Sequence, residues 1–325
     1  TCALPISIIN WVKQRYDLVV TKEMINFVPG IVPGIGMAMN CFTQKGDKVM
    51  IQPPVYHPFA WVTTRNERTL VTNPLKWENG MYRMDLDTFR EQIKGCKLFI
   101  LCNPHNPGGV VWTEAELRAI ADICYDEKVL VFSDEIHADL TLPPHTHRPF
   151  ATVSEKARMN SVTFMSPSKA FNMPGLSASH ALIFNEDLRK RFRIYMDAGE
   201  LDMGHVFAFL SVEAAYSHGT EWLDQCLAYI QGNIDFVDDF LKNHAPKIKA
   251  IRPEASYLVW LDCRELKLSQ KDLNEFFVDK AHLALNDGEM FGKEGIGFMR
   301  LNVASPRCII EKAMKQLSDA YQLYI

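Results

Sequence analysis

Three segments of this sequence concentrate side chains able to do chemistry. The run NPHNPGG at 103–109 follows an apolar stretch at 97–102, DEIH at 134–137 follows one at 129–133, and SPSKAFN at 166–172 follows one at 161–165. Together they supply an amide, an acid, two hydroxyls and one lysine. A lysine amine can attack a carbonyl or carry a proton, and an acid, an amide and hydroxyls can hold a small molecule's polar groups. Each segment alone has an ordinary reading. Asn-Pro-Gly-Gly is good turn chemistry, a strand-end Asp is often a helix cap, and a loop lysine is usually solvated. The conjunction at successive strand ends is what points to a site.

The elements that must position them follow from the apolar pattern. KLFILC (97–102) and VLVFS (129–133) are continuous apolar runs of strand length, as expected of strands covered on both faces. Further strands are predicted at 48–52, 69–73, 161–165 and 179–184. Helices are predicted at 6–16, from the Gly/Pro-rich turn at 28–34 to about 42, at 59–65 and at 85–93. Thr113 and Glu116 form a capping box opening another helix. This alternation predicts an α/β fold, a mainly parallel sheet sandwiched by helices, in which C-terminal strand ends share one ligand-binding edge. Beyond Gly204 the rhythm changes. Long helices at 206–216 and 222–243, strands at 256–262 and 298–303, a capped helix from Ser269 and a terminal helix from Pro306 predict a smaller α/β C-terminal domain. The expected division is 1–218 and 219–325.

The composition excludes several classes. A chain of 325 residues with 47% apolar and 23% charged residues is a globular protein of about two domains. Net charge is −4, which disfavours a general electrostatic grip on nucleic acid or anionic membrane. No apolar run reaches the roughly 18 residues of a membrane span. Eight cysteines without a C-x-x-C pair read as reduced core residues of a cytoplasmic protein. The opening Thr-Cys-Ala carries no charged segment ahead of an apolar run of signal-peptide type. No G-x-G-x-x-G follows a strand, and GEMFGK at 288–293 has Glu294 where a phosphate loop needs a hydroxyl. His145 and His147 read as surface histidines, and no metal site is expected.

The segment S-x-S-K-A-F-N, preceded by D-E-I-H and N-P-H-N-P-G-G, resembles fold-type I pyridoxal-phosphate enzymes of the class I/II aminotransferase superfamily. D-E-I-H-A-D-L and P-P-V-Y-H-P-F (53–59) are similar to its cystathionine β-lyase branch of MalY/PatB type. The similarity runs from about residue 20 to the C-terminus.

The resemblance implies a role for each matching residue. Lys169 would be the Schiff-base lysine and later the proton-transfer base. Asp134 would pair with the pyridinium nitrogen, Asn106 would bond the ring O3′, Tyr56 would lie on the ring face and His137 would pack beside it. Ser166 and Ser168 would bind the phosphate. Pro33 suits a first helical position, so the amides of Ile31 and Val32 would face the phosphate from a helix N-terminus. An arginine that many relatives carry eight residues after the lysine is Ser177 here. Arg300, in MRLNV, would grip the substrate α-carboxylate with its two-pronged guanidinium. Arg307 reads as a surface residue at a helix start.

These roles imply β-elimination on cystathionine or a cysteine conjugate, giving thiol, pyruvate and ammonia. The same residues serve an aminotransferase, and a non-catalytic cofactor-binding protein on this fold is a third reading. The resemblance further implies a small amino-acid substrate, a homodimer with shared active sites, and a chain that starts later than its family's usual first residue.

Overall fold

The computed structural model describes residues 3–324. Its strands in chain order are β1 (Ile25–Val28), β2 (Lys48–Ile51), β3 (Thr69–Thr72), β4 (Lys76–Glu78), β5 (Met81–Arg83), β6 (Cys96–Cys102) and β7 (Leu130–Asp134). There follow β8 (Ser161–Met165), β9 (Ser179–Leu182), β10 (Lys249–Ile251), β11 (Leu258–Asp262), β12 (Asn286–Asp287) and β13 (Phe298–Asn302). Seven form one sheet in the order β1-β9-β8-β7-β6-β2-β3. The pairs from β3 through β8 are parallel, whereas β9 runs against β8 and β1 against β9. The sheet is therefore mainly parallel, as the alternation predicts, with one reversed strand near the edge.

Period-two alternation assigns the core. Phe99 and Leu101 join the cluster on one face of the sheet, packed against helices Leu86–Gln92 and Glu114–Asp126. Leu98, Ile100 and Cys102 join the other, under helices Ile31–Phe42, Pro58–Arg65 and Glu186–Asp197. Phe99 and Phe132 are fully buried on opposite faces, each worth roughly 2–3 kcal/mol of apolar burial. The capping box is present: Thr113 Oγ1 accepts from the Glu116 amide at 3.2 Å and Glu116 Oε2 accepts from the Thr113 amide at 2.9 Å.

A second sheet, all antiparallel, has the order β10-β11-β13-β12. Val259, Leu261, Met299 and Leu301 pack one of its faces on helices Thr220–His244 and Arg307–Tyr324. The helices Val206–His218 and Thr220–His244 are separated by Gly219 alone. Trp11 of helix Ala3–Tyr16 stacks on Tyr216 with ring centroids 4.8 Å apart, which seats the first helix on Val206–His218. No helix among the described residues is long and apolar enough to cross a membrane.

Candidate active site

The loops after β6, β7 and β8 converge on one cavity of about 450 Å³. Hydrogen bonds across strand ends lock them together. The Asn103 amide donates to Asp134 O and the Glu135 amide to Phe164 O, both at 2.9 Å. Asn106, Asp134, His137, Ser168 and Lys169 line the cavity, joined by Tyr56 and Arg300. The set read from three separate motifs is thus one site.

Asp134 ends β7 and is 4% exposed. Its Oδ1 accepts from the Ile136 amide at 3.1 Å. Burial pushes its pKa up to about 7, against the opposing pull of that amide and of Lys169, and Glu135 adds to the rise. An opposite charge in the cavity would therefore be held strongly. The Lys169 amine moves the other way: burial and then Arg300 lower its pKa, and Asp134 only partly restores it. That shift enlarges the neutral, nucleophilic fraction of the amine. His137 is held down to about 3, by burial first and then by Lys169 and Arg300, so its ring is neutral. Its Nδ1 is buried without a partner, and the ring meets Tyr257 edge-on at 6.2 Å.

Arg300 reaches the cavity from β13. Its Nη1 donates to Asn106 Oδ1 at 2.9 Å and its Nη2 to Asn286 Oδ1 at 2.8 Å. Burial lowers its pKa to about 10, and Tyr56 and Tyr257 counteract the shift. It remains a cation at neutral pH. Asn106 is fixed by the tight turn that follows β6, where the His105 amide donates to Val110 O at 2.8 Å. Gly109 closes that turn at φ +68°, hard against Pro253.

The far end of the cavity is built for an anion. Gly30 precedes helix Ile31–Phe42 at φ +129°, and no side chain caps that helix. The amides of Ile31 and Val32 therefore face the cavity with the positive end of the helix dipole behind them. Pro33 is the third helical residue and not the first; the chain enters the helix two residues earlier because Gly30 tolerates the positive φ. Ser168, Ser177 and Ser179 complete this end. Ser166 departs from the expectation. It does not line the cavity; its hydroxyl donates to Ala178 O at 2.7 Å and accepts from the Ser168 amide at 3.1 Å, so it holds Ser168 in place from behind.

Two other expectations fail. His147 is no surface residue: it is 4% exposed, and its Nε2 lies 2.8 Å from Glu135 Oε2. The same carboxylate accepts from Ser133 Oγ and the Phe150 amide, each at 2.8 Å. His145 is exposed, and no metal-type cluster of histidine, cysteine and acid exists among the described residues. The cysteines are free wherever they are described, but Cys41 and Cys226 are half-buried and Cys308 is exposed, so they are not all core; Cys2 lies outside the described residues.

Sequence reading missed His57, Tyr257, Asn302 and Ser179 on the cavity wall and Asn286 behind Arg300. Tyr257 directly precedes β11, and its position next to an apolar strand was the only signal available. Arg307 begins the last helix, with Nε donating to Asn233 Oδ1 at 2.8 Å, away from the cavity lining.

Known proteins resemble the chain in sequence and fold. Residues 4–317 match the family model described as aminotransferase class I and II. The chain is 38% identical to cystathionine beta-lyase PatB of Bacillus subtilis over 316 residues, covering 97% of this chain and 82% of that protein. Cystalysin of Treponema denticola, whose crystal structure contains pyridoxal 5′-phosphate, superposes with a TM-score of 0.97 at 34% identity, covering 100% of this chain and 83% of that one. The PLP-bound C–S lyase of Staphylococcus hominis gives 0.92 at 32% identity, covering 100% and 85%. With its family model matched over nearly the whole length and its lysine, acid and arginine gathered in one cavity, the chain belongs to the class I and II aminotransferase family.

Proposed function

We propose that this protein is a pyridoxal-phosphate-dependent carbon–sulfur β-lyase acting on cystathionine or a related cysteine conjugate. The observation that carries the reading is Lys169 and Arg300 lining the same cavity as Asp134. The relatives named as lyases supply the choice of reaction. The cavity suits the cofactor on its own terms: an uncapped helix N-terminus with Ser168 for the phosphate, a buried acid for the ring nitrogen, and a lysine for the aldehyde. When bound, pyridoxal phosphate supplies an electron sink for the charge left on the substrate's Cα.

The residues divide the remaining work. Asp134 would hold the ring nitrogen's proton, Asn106 would bond the ring hydroxyl, and Tyr56 and His137 would bracket the ring. Arg300 would take the α-carboxylate in two-point fashion, fixing which Cα bond is exposed to Lys169. The Lys169 amine would then remove the α-proton, its lowered pKa favouring the free base. Loss of the proton drives cleavage of Cβ–S. Overall, the substrate and one water give thiol, pyruvate and ammonia.

The test is pyruvate release from L-cystathionine by protein loaded with pyridoxal phosphate. A strict requirement for a keto acid would move the assignment to an aminotransferase, and cofactor binding without turnover of any amino acid would move it to a binding protein.

We infer also a homodimer in the cytoplasm. Met203, Val206, Phe207 and Leu210 are each more than half exposed within eight residues, an apolar patch that a second copy would cover. The described cysteines carry no disulfide, which suits a reducing compartment. The division at 218/219 would assign helix Thr220–His244 and the second sheet to the smaller domain. Size-exclusion chromatography with light scattering tests the dimer, and limited proteolysis near Gly219 the division.

A further inference from the structure

Arg300 is a substrate-binding arginine without an acid. Two arginines near the same sheet pair with carboxylates: Arg264 with Asp262 at 2.7 Å, and Arg252 with Asp235. Around Arg300, among the described residues, every contact is neutral. Asn106 Oδ1 takes one N–H of Nη1, and Asn286 Oδ1 takes one N–H of Nη2. The Phe291 ring lies under the guanidinium with its centroid 4.7 Å from the central carbon, a cation–π contact that stabilises charge without cancelling it. Nε is buried with no partner.

The strand register explains how an acid is kept away. Asn286 stands opposite Arg300 across the β12–β13 pair, and Asp287 is the next residue. Alternation turns Asp287 to the other face. There its carboxylate accepts from Gln270 Nε2 and Asn274 Nδ2, each at 2.5 Å, and from the Glu289 amide at 2.8 Å. A one-residue slip of β12 would place this carboxylate on the guanidinium. Downstream, Gly288 and Gly295 meet backbone to backbone, where neither position has room for a Cβ. That contact pins the excursion from β12 to β13 and holds the register. The Phe291 carbonyl accepts from the Val55 amide at 2.9 Å, which fixes the ring beneath Arg300 to the segment that carries Tyr56.

We propose that Asn286 is a positioning residue for the α-carboxylate site: it aims Arg300 through an uncharged acceptor, so that the guanidinium meets the substrate with its charge unspent. The proposal rests on Arg300 as the carboxylate ligand and deepens that reading. Of the five N–H groups of an arginine, the two amides occupy two. One N–H on each terminal nitrogen remains for the substrate. An aspartate at 286 would keep the geometry and cancel the charge, whereas an alanine would keep the charge and release the geometry.

The experiment uses the full chain loaded with pyridoxal phosphate and the variants Asn286→Ala, Asn286→Asp and Asn286→Gln. Pyruvate release from L-cystathionine gives kcat and KM. Independently, the cofactor's absorbance is titrated with L-alanine, which has the carboxylate and no leaving group, and with ethylamine, which lacks the carboxylate. Asn286→Ala should raise KM and the L-alanine midpoint about tenfold with kcat within about twofold, the loss of one charge-assisted hydrogen bond. Asn286→Asp should raise both about a hundredfold, and Asn286→Gln should recover most of the loss. Ethylamine midpoints should stay constant throughout. Equal weakening of L-alanine and ethylamine would mean a merely structural role and would overturn the proposal, as would unchanged KM and L-alanine midpoints in the Ala and Asp variants. If the parent protein makes no pyruvate, the lyase reading falls, and the L-alanine series alone decides the role of Asn286.

Discussion

Asn106 and Arg300 are 194 residues apart in the chain and 2.9 Å apart in space. The first belongs to the turn after β6 of the parallel sheet, the second to β13 of the antiparallel one. This hydrogen bond joins the proposed grip on the cofactor ring to the proposed grip on the substrate. Replacing Asn106 by Ala should therefore harm both steps. We expect kcat to fall about tenfold and KM to rise about tenfold, each the worth of one charge-assisted or ring hydrogen bond. A change confined to KM in steady-state pyruvate assays would contradict the double role.

Lys169→Ala removes the amine proposed as nucleophile and base. Turnover should drop by at least ~10³-fold, because general-base catalysis alone contributes roughly 10²–10⁴. Exogenous methylamine should restore part of the rate if the lost group is the base. A Lys169→Ala protein with near-parental pyruvate release would remove Lys169 from the mechanism.

Asp134 carries a pH signature in the chain without cofactor. Its folded pKa, pushed up to about 7 by burial, lies above the ordinary 3.8. The unfolded chain thus releases this proton before the folded one does. The residue costs nothing below pH 4, destabilises increasingly as pH rises, and costs most above pH 7. The gap corresponds to an upper figure on the order of 4 kcal/mol. Asp134→Asn should accordingly raise the Tm of the cofactor-free protein at pH 8 and leave it nearly unchanged at pH 4. Equal effects at both pH values would show that Asp134 is not buried as a charge.

His147 and Glu135 are both buried, and the histidine is one of three donors to that carboxylate. His147→Ala leaves Glu135 without its ring partner and opens space beside Tyr16, whose ring is 5.5 Å away. A loss of roughly 3 kcal/mol in urea unfolding is expected. A loss under about 0.5 kcal/mol would mean the pair is not intact in solution.

Gly109→Ala tests the turn that carries Asn106. A Cβ there would lie 2.5 Å from Pro253 Cβ at a φ of +68°. Both strain and overlap disfavour it, and we expect about 2–4 kcal/mol of destabilisation together with reduced turnover. Circular dichroism melts and pyruvate assays on the same sample would separate the two effects.

Three of the residues that sequence reading found share a cause, while Tyr56 and Arg300 came from the resemblance alone. Lys169, Asp134 and Asn106 stand directly after apolar runs, and polar clusters after buried strands are conspicuous. The direction of β9 was not legible, since apolar content reports burial on both faces and says nothing of polarity. His147 was misread because its partner, Glu135, belongs to another motif, and a buried histidine–carboxylate hydrogen bond has no local signature. Asn286 and Tyr257 went unassigned for a related reason. Each is defined by what lies across the sheet or cavity, and an isolated Asn or Tyr carries no spacing. The helix start was placed at Pro33, two residues late, because Gly30 lets the chain turn into the helix ahead of the proline.

The two sheets also divide the inheritance of the site. Residues 31–169 bring the lysine, the buried acid and the anion-binding helix end, while β11 to β13 and their flanks bring Tyr257, Asn286 and Arg300. On the proposed roles, the residues that react and the residues that recognise are thus written in separate stretches of the gene. Exchanging residues 249–303 with those of a relative should therefore move preference without moving chemistry, provided the seams to the rest of the chain are matched, among them Asn106 to Arg300, Val55 to Phe291, Gly109 to Glu254 and Ala255, and Tyr82 to Trp260. New substrates could be acquired by recombination in this fold, one crossover on each side, with no change to the residues proposed to break the bond.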